Sequence, residues 1–153
     1  MNRDFVEMLS ELSGAKTEFL VVGAHALAAH GIPRGTQDLD VWIERSDENA
    51  ARVWRALASF GAPLESLDLG PTDLAKPDTV FQLGLPPNRI DVLTCISGVA
   101  DFADAWARRL EGRVRGRSFP FLGRDDLIAN KKAAGRPKDL ADLAALGRAA
   151  RAE

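Results

Sequence analysis

The sequence predicts an α+β domain: a mixed β-sheet with helices packed against it, ending in helices. Short apolar runs of β-like composition alternate with stretches at helical spacing, and glycines and prolines separate them. From about residue 123 onward only helical patterning remains, broken once around Gly135 and Pro137.

Residues 2–13 place Phe5, Met8, Leu9 and Leu12 on one helical face, with Gly14 as a stop. EFLVVG is a short strand ending at Gly23, and AHALAAHG reads as one or two helical turns closing at Gly31. After the turn-like IPRGT comes the strand DLDVWIE. Ser46 then opens a helix through Phe60, with Asp47 and Glu48 at its positive end and Gly61 and Pro63 beyond its close. Residues 64–77 carry Pro71 and Pro77 with little periodicity and read as a loop. TVFQLGL and RIDVLTC read as two strands of a hairpin joined through Pro86-Pro87-Asn88. A helix containing DFADAWARRL is expected from Ser97, and the segments around VRG and FPFL form a small hairpin or an extended arm. RDDLIANKKAAG and PKDLADLAALGRAAR complete the chain. Without repeats or a clear linker, residues 1–153 read as one domain, with a core over about 15–122 and a helical segment over about 123–151.

Twenty basic and 22 acidic residues leave a net charge of −2, so the overall field neither attracts nor repels a polyanion. A plain nucleic-acid-binding domain would need a continuous basic stripe with interleaved aromatics, which the sequence lacks. The lone Cys95 cannot form an internal disulfide and fits a reducing cytoplasm. FLVVGAHALAA, the longest run of low polarity, is shorter than the roughly 18 residues of a membrane helix. A cytoplasmic protein with no membrane partner is expected.

In DLDVWIE, Asp38 and Asp40 project to one side of the strand while Leu39 and Val41 project to the other. Such a pair alone is often a turn cap or a solvated edge. RIDVLT, however, lifts a third carboxylate, Asp91, off an otherwise apolar strand, so the three converge if the strands are neighbours. Crowded carboxylates repel and take up protons unless a cation is present. Hard oxygen ligands favour Mg²⁺ or Mn²⁺, and two such ions about 4 Å apart serve phosphoryl or nucleotidyl transfer from a nucleoside triphosphate. Gly23, between a strand and a helix, would let phosphate oxygens approach the backbone, although a tight turn explains it equally well.

Gly23-Ala24, Asp38-Leu39-Asp40 and Asp91, in that order, resemble the signature of the polymerase-beta-like nucleotidyltransferase superfamily. More narrowly, VVGAHALAAHGIPRGTQDLDVWIE and LIANKKAAGRPKDLADL are similar to the AbiEii-type and MNT-like small bacterial nucleotidyltransferases, a likeness covering residues 19–143. The resemblance implies the nucleotidyltransferase fold, with Asp38, Asp40 and Asp91 as metal ligands and Asp91 also as a general base. Gly23 would border the phosphates. Ala24 stands where Ser or Gly is usual, which removes a hydroxyl contact and puts catalytic rate in doubt. Arg34 would suit a phosphate fork and Thr36 would fix the turn. Among the basic cluster Lys131, Lys132, Arg136 and Lys138, the lysine at 131 is the preferred phosphate contact, while Asp139 and Asp142 are expected to pair with nearby bases. His25 and His30 are read as structural, and Trp42, Trp54 and Trp106 as packing residues.

The implied activity is Mg²⁺-dependent transfer of a nucleoside monophosphate onto an acceptor hydroxyl on RNA, a protein or a small molecule, in a toxin–antitoxin setting. The alternative is a weakly active or inactive binding partner, antitoxin-like, that keeps the fold. In either case a partner chain or a homodimer could complete the cleft.

Overall fold

The computed structural model of the chain describes residues 1–84 and 88–152, with side chains described through residue 148. A first helix, α1 (Arg3–Gly14), leads to β1 (Phe19–Val22), α2 (Gly23–Ala29), β2 (Asp38–Ile43) and α3 (Asp47–Phe60). Next come β3 (Val80–Leu83), β4 (Arg89–Leu93), α4 (Phe102–Ala107), β5 (Leu110–Val114) and β6 (Arg117–Phe121). The helices α5 (Arg124–Ala134) and α6 (Pro137–Ala152) finish the chain.

All six strands form one mixed sheet in the order β3-β4-β2-β1-β6-β5. Antiparallel β1 and β2 occupy the middle, β4 and β6 run parallel to β2 and β1, and the hairpins β3–β4 and β5–β6 form the two edges. The expected α+β class is therefore observed. The core joins β1 and β2 to α1 and α3 through Met8, Leu9, Leu12, Val21, Val41, Val53 and Leu57, each without solvent contact.

Local signals account for the element ends. Asn2 caps α1 by accepting from Phe5 N, and Ser46 caps α3 by accepting from Asn49 N. Gly61 closes α3 at φ 94°, a left-handed value that favours glycine. Asn49 is buried yet satisfied. Its amide donates to the carbonyls of Glu18 and Glu44 and accepts from Glu18 N, clasping the outer ends of β1 and β2 to α3.

The structure departs from the sequence expectation in two segments. Residues 64–77 contain two short 3-10 turns, Leu64–Ser66 and Pro71–Ala75. Asp73 accepts from Gly70 N, and the turn it closes delivers Leu74 into the core, whereas a turn this short leaves no periodic trace in the sequence. The helix expected from Ser97 begins only at Phe102, capped by Asp101, whose side chain accepts from Asp104 N. Ile96 and Val99 form an isolated bridge around Gly98, and a Cβ at Gly98 would come within 2.5 Å of the Ala129 carbonyl, so a tight turn fills this space. VRG and FPFL lie in the β5–β6 hairpin. Of the expected β3–β4 connection, Pro86 and Pro87 lie outside the described residues.

Leu74→Ala should lower stability by about 2–5 kcal/mol, read as a loss in the urea midpoint at unchanged m-value. A variant indistinguishable from the parent would show that the Pro71–Ala75 turn is not anchored through this side chain.

Candidate active site

Parallel pairing sets Asp40 directly beside Asp91 and Asp38 beside Arg89. Leu39, Val41, Ile90 and Val92 are buried on the opposite face, so the three acids and Arg89 share the remaining one. Asp38 is the outermost, with its side chain 45% exposed against 13% for Asp91. Thr36 fixes the chain's entry into β2: its hydroxyl accepts from Asp38 N at 3.1 Å and donates to Asp38 O at 3.2 Å. Gly23 has φ 69°, and a Cβ there would fall 2.5 Å from Asp40 Oδ2. The missing side chain thus leaves room for the Asp40 carboxylate itself, a purpose the sequence did not disclose. Ala24 follows in α2, half-buried.

The cluster carries the electrostatic strain expected of crowded acids. Burial, then the charges of Asp91 and Asp38, push the pKa of Asp40 up to about 6, against the opposing pull of Arg89 and Lys138. Burial likewise raises Asp91, with Arg89 and a hydrogen bond shared with Asp40 opposing it. Arg89 lies 3.7 Å from Asp38 Oδ2 and 3.5 Å from Asp91 Oδ1, both too long for a close ion pair. Its Nε and Asp91 Oδ1 are buried without a hydrogen-bond partner. Among the described residues no three His, Cys, Asp or Glu side chains form a ready-made metal cage. The donor set nevertheless fits a hard divalent cation: all-oxygen ligands, an orphaned buried oxygen on Asp91, and a loosely held counter-charge in Arg89.

A cleft of about 430 Å³ opens beside Asp40, lined by Gly23, Ser97, Asn130, Lys131 and Arg136. Lys131 is buried there, 3.3 Å from Asp139 Oδ1 and 3.2 Å from Asp142 Oδ2, so its charge is already matched. Arg34, expected as a phosphate fork, donates its Nε to Asp142 at 3.0 Å and brings Nη2 within 2.9 Å of the same oxygen. Each cation is thus paired with carboxylates of α6, and Lys131 also lines the cleft beside Asp40. Asp139 and Asp142 pair as expected. Arg136 donates to Asp139 but is 58% exposed, and it and Lys138 are the basic side chains of this segment whose charges Asp40 feels. His30 is structural as expected, its Nε2 2.8 Å from Leu122 O. The sequence reading passed over Arg89 and, within the basic cluster, preferred Lys131 to Lys138. An R-x-D spacing on a strand would have placed Arg89 on the acid face, whereas no local pattern separates Lys138 from Lys131.

A second cleft of about 660 Å³, floored by Trp42 and Phe102, meets the first at Cys95 and Ile96. No helix among the described residues is long and apolar enough to cross a membrane.

No protein-family model matches the chain, and no curated protein sequence matches it. Solved structures do. A candidate nucleotidyltransferase from Thermotoga maritima is 16% identical, with TM-score 0.60 over 99% of this chain and 92% of its own. The lincosamide antibiotic adenylyltransferase LnuA, solved with lincomycin bound, is 12% identical, with TM-score 0.64 over 96% of each chain. ANT(2'')-Ia, solved with adenylyl-2''-tobramycin, is 17% identical, with TM-score 0.60 over 93% of this chain and 84% of its own. At these identities the likeness establishes the fold.

Because Asp40 binds its proton more tightly in the folded than in the unfolded chain, its contribution to stability is full below its ordinary value near 3.8 and lost as pH rises through about 6. In metal-free buffer the parent should lose more stability between pH 4 and 7 than Asp40→Asn does in parallel urea titrations. An equal loss in the two proteins would show that Asp40 is not the strained group.

Proposed function

We propose that this chain, which has the nucleotidyltransferase fold, transfers a nucleoside monophosphate from a nucleoside triphosphate to an acceptor hydroxyl and releases pyrophosphate. The observation that carries the reading is the register that sets Asp40 against Asp91, with Asp38 beside them and a glycine making room for Asp40.

Asp38, Asp40 and Asp91 would hold Mg²⁺ or Mn²⁺, which when bound supplies charge neutralisation at the reacting phosphate and a lowered pKa at an attacking oxygen. The chain's own residues do the rest. Asp91, partly buried and raised in pKa, is suited to accept the acceptor hydroxyl's proton. Gly23 and the cleft beside it would face the triphosphate, with Lys131 and Arg136 in its wall and Lys138 adding positive charge near Asp40. Arg89 keeps the acids from full mutual repulsion until a cation arrives, since it opposes the raised pKa of both Asp40 and Asp91. The adjoining cleft over Trp42 and Phe102 would take the acceptor. A small-molecule acceptor accords with the antibiotic-linked neighbours of the same fold. The AbiEii-like string supports RNA or a partner protein as the acceptor, within a toxin–antitoxin pair.

A second reading keeps nucleotide binding without turnover. Ala24 supplies no hydroxyl, and the charges of Lys131 and Arg34 are spent on Asp139 and Asp142. In that case the chain would act as a regulatory partner.

Incubation with labelled nucleoside triphosphates, Mg²⁺ and cell extract should give Mg²⁺-dependent labelling of an acceptor. Asp40→Asn and Asp91→Asn should each reduce it at least about a hundredfold, more than the loss of a group that only supports a ligand. Tight Mg²⁺-dependent triphosphate binding without labelling would favour the regulatory reading. Absence of both labelling and binding would overturn the assignment.

A further inference from the structure

The acid face does not end at β4. Antiparallel pairing sets Gln82 of β3 opposite Asp91 and Val80 opposite Leu93, so the row from Asp40 through Asp91 continues to Gln82 at the rim of the sheet. Residues directly opposite on neighbouring strands carry their side chains on the same side, with Cβ atoms about 4.5–5.5 Å apart. The alternate residues Phe81 and Leu83 are buried on the other face, at 1% and 3% exposure.

Gln82 is exposed, yet its backbone is firmly placed. The Phe81 ring meets Trp54 of α3 edge-on, with centroids 6.1 Å apart. At one end of β3, Thr79 N donates to Thr94 Oγ1 at 2.9 Å and Thr94 N donates to Thr79 O at 3.0 Å. These contacts fix the register, since a slip of one position would bring Phe81 or Leu83 out beside Asp91. Asp91 Oδ1 is buried without a partner, so the Gln82 carboxamide is not spent on it. A carboxamide donates through Nε2 and accepts through Oε1, and without charge it does not repel a triphosphate. Gln82 lies on the rim side of Asp91, whereas the cleft beside Gly23 lies on the Asp40 side. One row along, Val80, 48% exposed, and Leu93, which lines that cleft, form an apolar ledge.

We propose that Gln82 determines acceptor specificity by binding a second hydroxyl beside the one that attacks, a role that rests on the assignment of the acid face to nucleotidyl transfer. The attacking hydroxyl gives its proton to Asp91 while its oxygen bonds the α-phosphorus and pyrophosphate leaves. Gln82 exchanges no proton and holds the hydroxyl on the adjoining carbon. The acceptor group is therefore a vicinal diol, with its carbon frame on the ledge of Val80 and Leu93. A free sugar and the ribose terminus of an RNA both carry this group.

Periodate cleaves vicinal diols, so extract treated with it, and then freed of it, should give no labelled acceptor. Ribonuclease pretreatment separates the sources: loss of a labelled polymer indicates an RNA terminus and persistence of the label a free sugar, and either supports the diol. Gln82→Ala should raise the extract concentration for half-maximal labelling at least about tenfold, with the maximal rate changed less and Mg²⁺-dependent triphosphate binding within about twofold of the parent. Gln82→Met, of similar length without the carboxamide, should behave as Ala does, and Gln82→Asn should recover part of the loss. A second measurement needs no turnover. The chain has two glutamines, Gln37 and Gln82, so side-chain amide NMR signals report Gln82 with an internal control. Methyl riboside should shift the Gln82 signals saturably at millimolar concentration, leave Gln37 nearly still, and bind at least about tenfold more tightly than methyl 2-deoxyriboside. An extract that stays unlabelled while methyl riboside moves the Gln82 amide would count against transfer and not against this site. Labelling that survives periodate, an unmoved Gln82 amide, or equal acceptor dependence in the parent and Gln82→Ala would each overturn the proposal.

Discussion

The acid site depends on the parallel pairing of β2 with β4. Parallel partners cannot be joined by a tight turn, so the chain leaves β2, forms α3 and two 3-10 turns, and returns through the antiparallel β3 before β4 can lie beside β2. That detour fixes which residues face each other. A slip of one position would send Asp91 into the apolar layer occupied by Ile90 and Val92 and bring one of them out among the carboxylates. Burial of a charged group is costly enough that the hydrophobic alternation and the acid pairing select the same register. The core and the chemistry are thus set by one alignment.

The C-terminal helices act on this alignment through charge. Lys131 of α5 lies between Asp139 and Asp142 of α6, and Asp142 also holds Arg34, which precedes the acid strand. Ion pairs this well enclosed contribute more to geometry than to net stability, because removing one partner strands another buried charge. Asp139 shows the balance of the network: its carboxyl is held down to about 2, first by the Arg136 guanidinium. Lys131 and Arg34 fasten α5 and α6 to each other and to the turn before β2. The more exposed Arg136 lines the cleft, and the charge of Lys138 reaches Asp40.

Much of this architecture is legible in the residue order. The alternation around Asp38, Asp40 and Asp91 placed all three on one face, Ser46 and Gly61 marked the ends of α3, and Gly135 marked the break between α5 and α6. Less legible are features that depend on contacts distant in sequence. Lys131 and Lys138 are chemically alike, and only the packing of α5 on α6 buries one and exposes the other. The delayed start of α4 follows from a close approach between Gly98 and α5, which no pattern within residues 97–110 records. The 3-10 turn carrying Leu74 is too short to leave a period. Gly23 was visible as a glycine but not as the neighbour of an acid on another strand.

The acids lie on inner strands, flanked on either side by other strands, and a hairpin borders each rim of the sheet. Amides in such a position exchange with solvent mainly when the whole domain opens, whereas a rim hairpin can fray by itself. The carboxylates are therefore mounted on inner strands that breathe more slowly than the outermost strands β3 and β5. Drift of the rim over evolution could retune what the surface admits while the reacting centre keeps its shape.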